Sequence, residues 1–256
     1  RKQAAKRHFG VNPYFTRQSW DVVQTYIENF TQRGDTVLDP FGGSGITCVE
    51  ALMVQRKAIH IDLNPLSIFM VSAQITPVVI EKFIASFEKI KKIFHKKRPL
   101  NEKEEQLILE KEFYPKNKKI YSIGADVEYV EELFNTKQLA ELALLKSLIE
   151  KVRNKAIRQS LLLCFYNTLS VINLTFHSTP KGGGNHFGFY YRYRMAKEPT
   201  FKDTLQVFET KFKRVLKAKQ EMEVAITKKT IKNANIYKGD ATNLVAIDTQ
   251  SIDYIY

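Results

Sequence analysis

The stretch Val37 to Leu52, VLDPFGGSGITCVEAL, sets three glycines and a serine in four consecutive positions between an apolar run and a helix-like run. Glycines that follow a strand let the backbone turn tightly and approach a ligand closely, because no Cβ intervenes. The flanks define the setting. TVLD is a short apolar run ending in Asp39, VEALMVQ returns to helical spacing, and AIHIDLNP is a second apolar run that ends at Asp62 and closes with Asn64-Pro65. Strand, glycine loop, helix and strand in about thirty residues make a βαβ unit, which requires a parallel sheet and a right-handed crossover.

Upstream, Trp20, Val23, Tyr26, Ile27 and Phe30 fall at helical spacing, and QRGD breaks the pattern. From about Ser72 to Lys229 the chain turns to long mixed-charge helical segments such as EKFIASFEKIKKIFHKKR, TKQLAELALLKSLIEKV and RQSLLLCFYNTLSVINL. Strand patterning returns only at ANIYKGDATNL and SIDYIY. With 256 residues, 44% of them hydrophobic, the chain is long enough for one large domain carrying an insertion, and it shows no internal repeat. The organisation expected is a sheet-forming part at 1–74, a mostly helical insert at 75–230 and a return to the sheet at 231–256.

A phosphate-gripping loop ends in Gly-Lys-Ser/Thr, but Gly45 is followed by Ile46 and Thr47, which removes that reading. The dinucleotide fingerprint starts well at Gly43 and Gly45 but meets Cys48 where its third small residue belongs, so a nicotinamide or flavin enzyme stays open. The pattern D-P-F-x-G-S-G-x-T resembles more closely the methyl-donor motif of the DNA amino-methyltransferases, which methylate adenine N6 or cytosine N4 with S-adenosylmethionine. Asp39, Phe41, Gly43, Ser44, Gly45 and Thr47 fall on its positions. HFGVNPYFTRQ, with Tyr14, Phe15 and Thr16, resembles the family's N-terminal motif beside the methionine part of the donor. IDLNP, with Asp62 and Asn64, resembles the second-strand motif, YKGDATNL, with Asp240, the third, and SIDYIY the fourth strand.

The resemblance implies a Rossmann-like, class I methyltransferase α/β core with a parallel sheet, interrupted by a large insert and incomplete at its C-terminal end. It also implies roles that chemistry supports. Adenosylmethionine carries no phosphate, so a loop without lysine suits it. Its ammonium favours a carboxylate nearby, as at Asp39. The ribose hydroxyls donate to an acid about twenty residues past the loop, which is Asp62, and the adenine amine can donate to Asp240. Phe41 and Pro65 would give apolar contact to the ring or the cleft walls. Taken singly, each has a plainer reading: D-x-N-P and Gly-Asp are common turns, and Tyr14 with Phe15 can staple the first helix.

Within the insert, TPKGGGNHFGFYYRYRM joins a flexible backbone to cations and stacking faces. Its position matches the target-recognition region in one arrangement of the family, which implies DNA contact by Lys181, Asn185, Arg192 and Arg194. The alternative is a surface hairpin with tyrosines on a core face and arginines in solvent. Lys91 to Arg98 and Lys211 to Lys219 read as solvated helix faces, with phosphate contact as a second reading. Forty Lys and Arg against 27 Asp and Glu give +13, which favours a polyanionic partner, with double-stranded DNA first. The five histidines show no ligand spacing and Cys48 reads as a small core residue, so no metal is expected.

In the family the fourth strand leads into a D/N/S-P-P-Y/F/W tetrapeptide that receives the flipped base. SIDYIY ends at Tyr256, where that tetrapeptide is expected to begin, so the catalytic residues are expected just after Tyr256 and this chain alone is expected to be inactive. The expectation is a DNA methyltransferase, adenine N6 before cytosine N4, in the cytoplasm and without a membrane, with a restriction-modification partner possible. An RNA base-amine methyltransferase and a non-catalytic DNA-binding or specificity subunit with a vestigial donor pocket are the other readings.

Overall fold

The computed structural model describes residues 8–12, 14, 17–175, 193–245 and 247–256, apart from the side chain of Phe9. The chain divides into two compact units. One holds the described residues up to Lys82 together with Lys213–Tyr256, and the other is Phe83–Phe212.

The first unit follows the sequence pattern closely. Helix α1 (Trp20–Phe30) buries Val23 and Ile27, carries Asp21 in its first turn and ends at the extended Thr31. Arg56 fixes that ending, with Nε donating to Thr31 Oγ1 at 2.9 Å and Nη2 to its carbonyl at 2.6 Å. Strand β1 (Thr36–Asp39), helix α2 (Ile46–Met53) and strand β2 (Lys57–Asp62) form the expected βαβ unit. Helix α3 (Pro65–Ile75) starts where the sequence suggested only a turn: Asn64 caps it by accepting from Leu66 N at 3.0 Å, and Pro65 takes the first helical position.

Strands β3 (Ala234–Lys238) and β4 (Tyr254–Ile255) complete a sheet ordered β3-β2-β1-β4, with every pairing parallel. Val37, Leu38, Ala58, Ile59 and Ile61 are buried in its two middle strands. That is why TVLD and AIHID read as continuous apolar runs and do not alternate. The order reverses beside β1, and in such sheets the crevice at the carboxyl ends near the reversal is where ligands bind.

Helices α4 (Ile80–Lys97) and α8 (Thr204–Met222) carry the chain into and out of the second unit, so the units divide inside helices, at 82/83 and 212/213, where the sequence suggested 74/75 and 230/231. The second unit adds α5 (Glu102–Lys111), α6 (Thr136–Glu150) and α7 (Lys155–Leu169). Asn101, Asn135 and Asn154 cap their first turns. Its centre includes Phe83, Phe87 and Phe94 of α4 with Phe208 and Phe212 of α8, and the Phe87 and Phe212 rings stack at 3.9 Å.

One basic stretch departs from the solvated-face reading. Lys219 is buried in the first unit, and its Nζ donates to the carbonyls of Ala73, Gln74 and Thr76 at 2.6, 2.7 and 2.6 Å. A cation there satisfies carbonyls left open at the C-terminal end of α3 and suits the helix dipole. Among the described residues no single helix is long and apolar enough to cross a membrane.

Candidate functional site

The carboxyl ends of the strands converge on a cleft of about 800 Å³, within the ~300–1,000 Å³ range of small-molecule sites. Asp39 ends β1, Asp62 ends β2, Gly239 and Asp240 follow β3, and Tyr256 follows β4; all five line the cleft. The glycine loop forms its floor. Gly42 N donates to Ile61 O at 2.9 Å and Gly45 N to Gly42 O at 2.8 Å, so the loop is tied to β2 and folded on itself.

The structure changes the reason for two of the glycines. A Cβ on Gly42 would stand 2.0 Å from Nδ1 of His60, and one on Gly45, where φ is +80°, would stand 2.3 Å from Cγ2 of Val71. Both are glycines because the protein itself presses on them, whatever the ligand. Behind Gly42, the His60 ring is fully buried, and burial pushes its pKa down to about 4, so it is neutral at ordinary pH. Ser67 Oγ donates to Gly43 O at 2.5 Å, which leaves His60 Nε2 as the donor in its 3.0 Å contact with Ser67 Oγ. A chain of two hydrogen bonds thereby fixes the carbonyl of Gly43.

Three carboxylates face the cleft, each in a different setting. Asp39 is 8% exposed and burial raises its pKa, opposed by hydrogen bonds from the Thr47 side chain and from Phe41 N and reinforced by the charge of Asp62. Asp62 accepts from Gly43 N through Oδ2 and from Asn64 N through Oδ1, each at 2.7 Å. Each oxygen keeps capacity for another donor. Asp240 accepts from Thr242 N and Oγ1, both at 2.9 Å and both on Oδ1, and these bonds lower its pKa.

The N-terminal segment is locked to the loop by buried polar groups. His8 Nε2 meets Glu50 Oε1 at 2.6 Å; Asn12 Nδ2 donates to Ser44 O at 3.1 Å and to Gln74 Oε1 at 2.6 Å; and Gln74 Nε2 donates to His8 O at 2.9 Å. This brings Tyr14, Arg17 and Gln18 to the cleft wall, with the Tyr14 ring beside Gly43.

Of the residues singled out in the sequence, Tyr14, Asp39, Phe41, Gly43, Ser44, Asp62 and Asp240 line one cleft. Gly45 sits at the start of α2 and Asn64 caps α3, neither on the cleft lining. Pro65 begins α3 and is likewise off it. Phe15, Thr16, Lys181, Asn185 and Arg192 lie outside the described residues. Arg194 belongs to the second unit, where Nη1 meets Asp126 Oδ1 at 2.6 Å. Sequence reasoning missed Arg17, Gln18, Leu63 and Gly239 on the lining. Arg17 carried a legible signal, a cation three positions after Tyr14 in a motif assigned to a zwitterionic ligand.

Arg17 is the one cation among the described lining residues, against Asp39, Asp62 and Asp240. On a protein of net charge +13 the cleft is therefore locally acidic. Acids at the rim and a loop without lysine disfavour a phosphate and suit a cationic ligand bearing hydroxyl and amine donors. A parallel sheet flanked by helices, with such a loop at its carboxyl edge, defines an α/β protein of the Rossmann-like fold.

Residues 1–70 match the family model described as DNA methylase. The Type II methyltransferase M.MjaII of Methanocaldococcus jannaschii is 27% identical over 81 residues, which cover 32% of this chain and 15% of that protein. The Type II methyltransferase M.BsoBI of Geobacillus stearothermophilus is 48% identical over 50 residues, covering 19% of this chain and 10% of that protein. The chain thus matches less than a fifth of the length of either relative. Over at most about a third of its length, then, the chain is similar to DNA methylases.

Proposed function

We propose that this chain carries the donor-binding part of a DNA amino-methyltransferase that uses S-adenosylmethionine, with adenine N6 favoured over cytosine N4. The observation that carries the reading is the cleft in which Asp39 and Asp62 end β1 and β2 and Asp240 lies just past β3, around a lysine-free glycine loop. S-adenosylmethionine would supply an electrophilic methyl on a sulfonium, and the acidic cleft favours that positive charge.

The residues divide the work by chemistry. Asp39 is the acceptor for the donor's ammonium and Arg17 the partner for its carboxylate, a bidentate geometry that guanidinium favours. Asp62 accepts from the ribose hydroxyls while its bonds to Gly43 N and Asn64 N hold it in place. Asp240 accepts from the adenine amine, and Phe41, 79% exposed at the cleft, provides an apolar face. Binding in this cleft is separate from catalysis at the base: an exocyclic amine is a weak nucleophile, so rate comes from acceptor groups and in-line placement on a catalytic motif. Double-stranded DNA is the substrate partner in this reading.

Displacement binding tests the reading. Labelled S-adenosylmethionine should be displaced by S-adenosylhomocysteine and not by ATP or NAD. Displacement by the phosphate-bearing ligands would instead favour the dinucleotide reading of the loop.

A further inference from the structure

We propose that His8 is a positioning residue for the methionine end of the donor, a latch outside the cleft through which Glu50 and Glu221 set where Tyr14 and Arg17 stand. The proposal rests on the S-adenosylmethionine reading above. His8 is 2% exposed and lies off the cleft lining. A carboxylate faces each nitrogen of its ring: Nε2 meets Glu50 Oε1 of α2 at 2.6 Å, and Nδ1 lies 3.2 Å from Glu221 Oε2 of α8. Its backbone is gripped as well, with N donating to the same Glu221 oxygen at 3.0 Å and O accepting from Gln74 Nε2 of α3 at 2.9 Å. Three helices thus converge, within the first unit, on one residue of the N-terminal segment.

The grip passes to the cleft through Asn12. Because Gln74 Nε2 is committed to His8 O, its Oε1 is the acceptor, and the Asn12 amide must turn Nδ2 toward it, at 2.6 Å. The same Nδ2 donates to Ser44 O of the glycine loop at 3.1 Å. The carbonyl of Asn12 in turn accepts from Tyr14 N at 3.0 Å and from Arg17 Nη1 at 3.4 Å. Both residues that carry the N-terminal segment to the cleft wall therefore hang on one carbonyl, and His8 and Gln74 hold the residue that bears it. A buried network of this kind fixes position, and a guanidinium takes a carboxylate bidentately only when its plane is well placed.

The adenosine end of the cleft is held by other bonds. Asp62 is fixed by Gly43 N and Asn64 N, and Asp240 by the backbone and hydroxyl of Thr242. Loosening the latch should therefore act on one end of the donor and spare the other.

Binding of two ligands to the full chain tests this: S-adenosylmethionine, and methylthioadenosine, which keeps the adenosine but lacks the ammonium and carboxylate. His8→Ala should weaken S-adenosylmethionine about tenfold, through the misplaced guanidinium, and change methylthioadenosine by less than about twofold. Glu221→Ala should give the same split, and at a side chain 27% exposed on a helix it keeps the test valid if His8→Ala fails to fold. Equal losses for the two ligands, or unaltered affinity for S-adenosylmethionine in a folded variant, would overturn the latch and leave the donor reading standing. If the unaltered chain binds neither ligand, the donor reading falls and the latch with it.

Discussion

The interior beside the glycine loop is polar: His8, Glu50 and Gln74 are buried in the hydrogen bonds that tie the N-terminal segment, and buried Ser67 links the His60 ring to the loop. The centre of the second unit is aromatic, with Phe83, Phe87, Phe94, Phe208 and Phe212 all buried. Apolar packing is non-directional and tolerates changes that conserve volume, whereas hydrogen-bonded buried groups fix positions to a few tenths of an ångström. The difference teaches where geometry is demanding. One interior fixes the backbone of the glycine loop, and the other stabilises helices.

Substitutions sharpen that contrast. Phe87→Ala should lower stability by ~3–5 kcal/mol in urea denaturation, through lost burial and the cavity left behind. It should change the donor affinity of the remaining folded protein by less than about twofold; a tenfold loss would break the contrast. Gly42→Ala should cost about 3 kcal/mol, since its Cβ has no space beside His60, and it should reduce donor affinity even where the protein is folded.

The buried histidine gives a pH signature that the aromatic centre lacks. His60 has a folded pKa of about 4 against 6.5 for an unperturbed histidine, so between those values the unfolded chain binds a proton that the folded chain refuses. Its contribution is present above pH 6.5 and is lost as the pH falls toward 4, on the order of 3 kcal/mol at ~1.4 kcal/mol per unit. Thermal denaturation across that window should show the decline, and His60→Asn should flatten it. An unchanged profile in the variant would assign the decline to other groups.

How far the molecule was legible follows from the same physics. TVLD and AIHID were readable because buried parallel strands are short apolar runs, and the acids because Asp39 and Asp62 end those strands and Asp240 closely follows ANIYK. Asp39, Asp62 and Asp240 could therefore be placed before any coordinates. Gly42 and Gly45 were readable as glycines but not for their cause, since His60 and Val71 reach them from elsewhere in the chain. Lys219 was hidden in a basic helix because burial of a cation depends on three carbonyls more than 140 positions away in sequence. The His8–Glu50 contact spans 42 positions, and no local period announces it.

The central claim, that the acid ending β2 holds the ribose of S-adenosylmethionine, is tested most directly by titration calorimetry of the full chain and of Asp62→Ala with S-adenosylmethionine. Loss of the ribose acceptor should weaken binding by about tenfold, the effect of roughly 1.4 kcal/mol from one charge-assisted hydrogen-bonded contact. Equal heats and equal affinity for the two proteins would contradict the account.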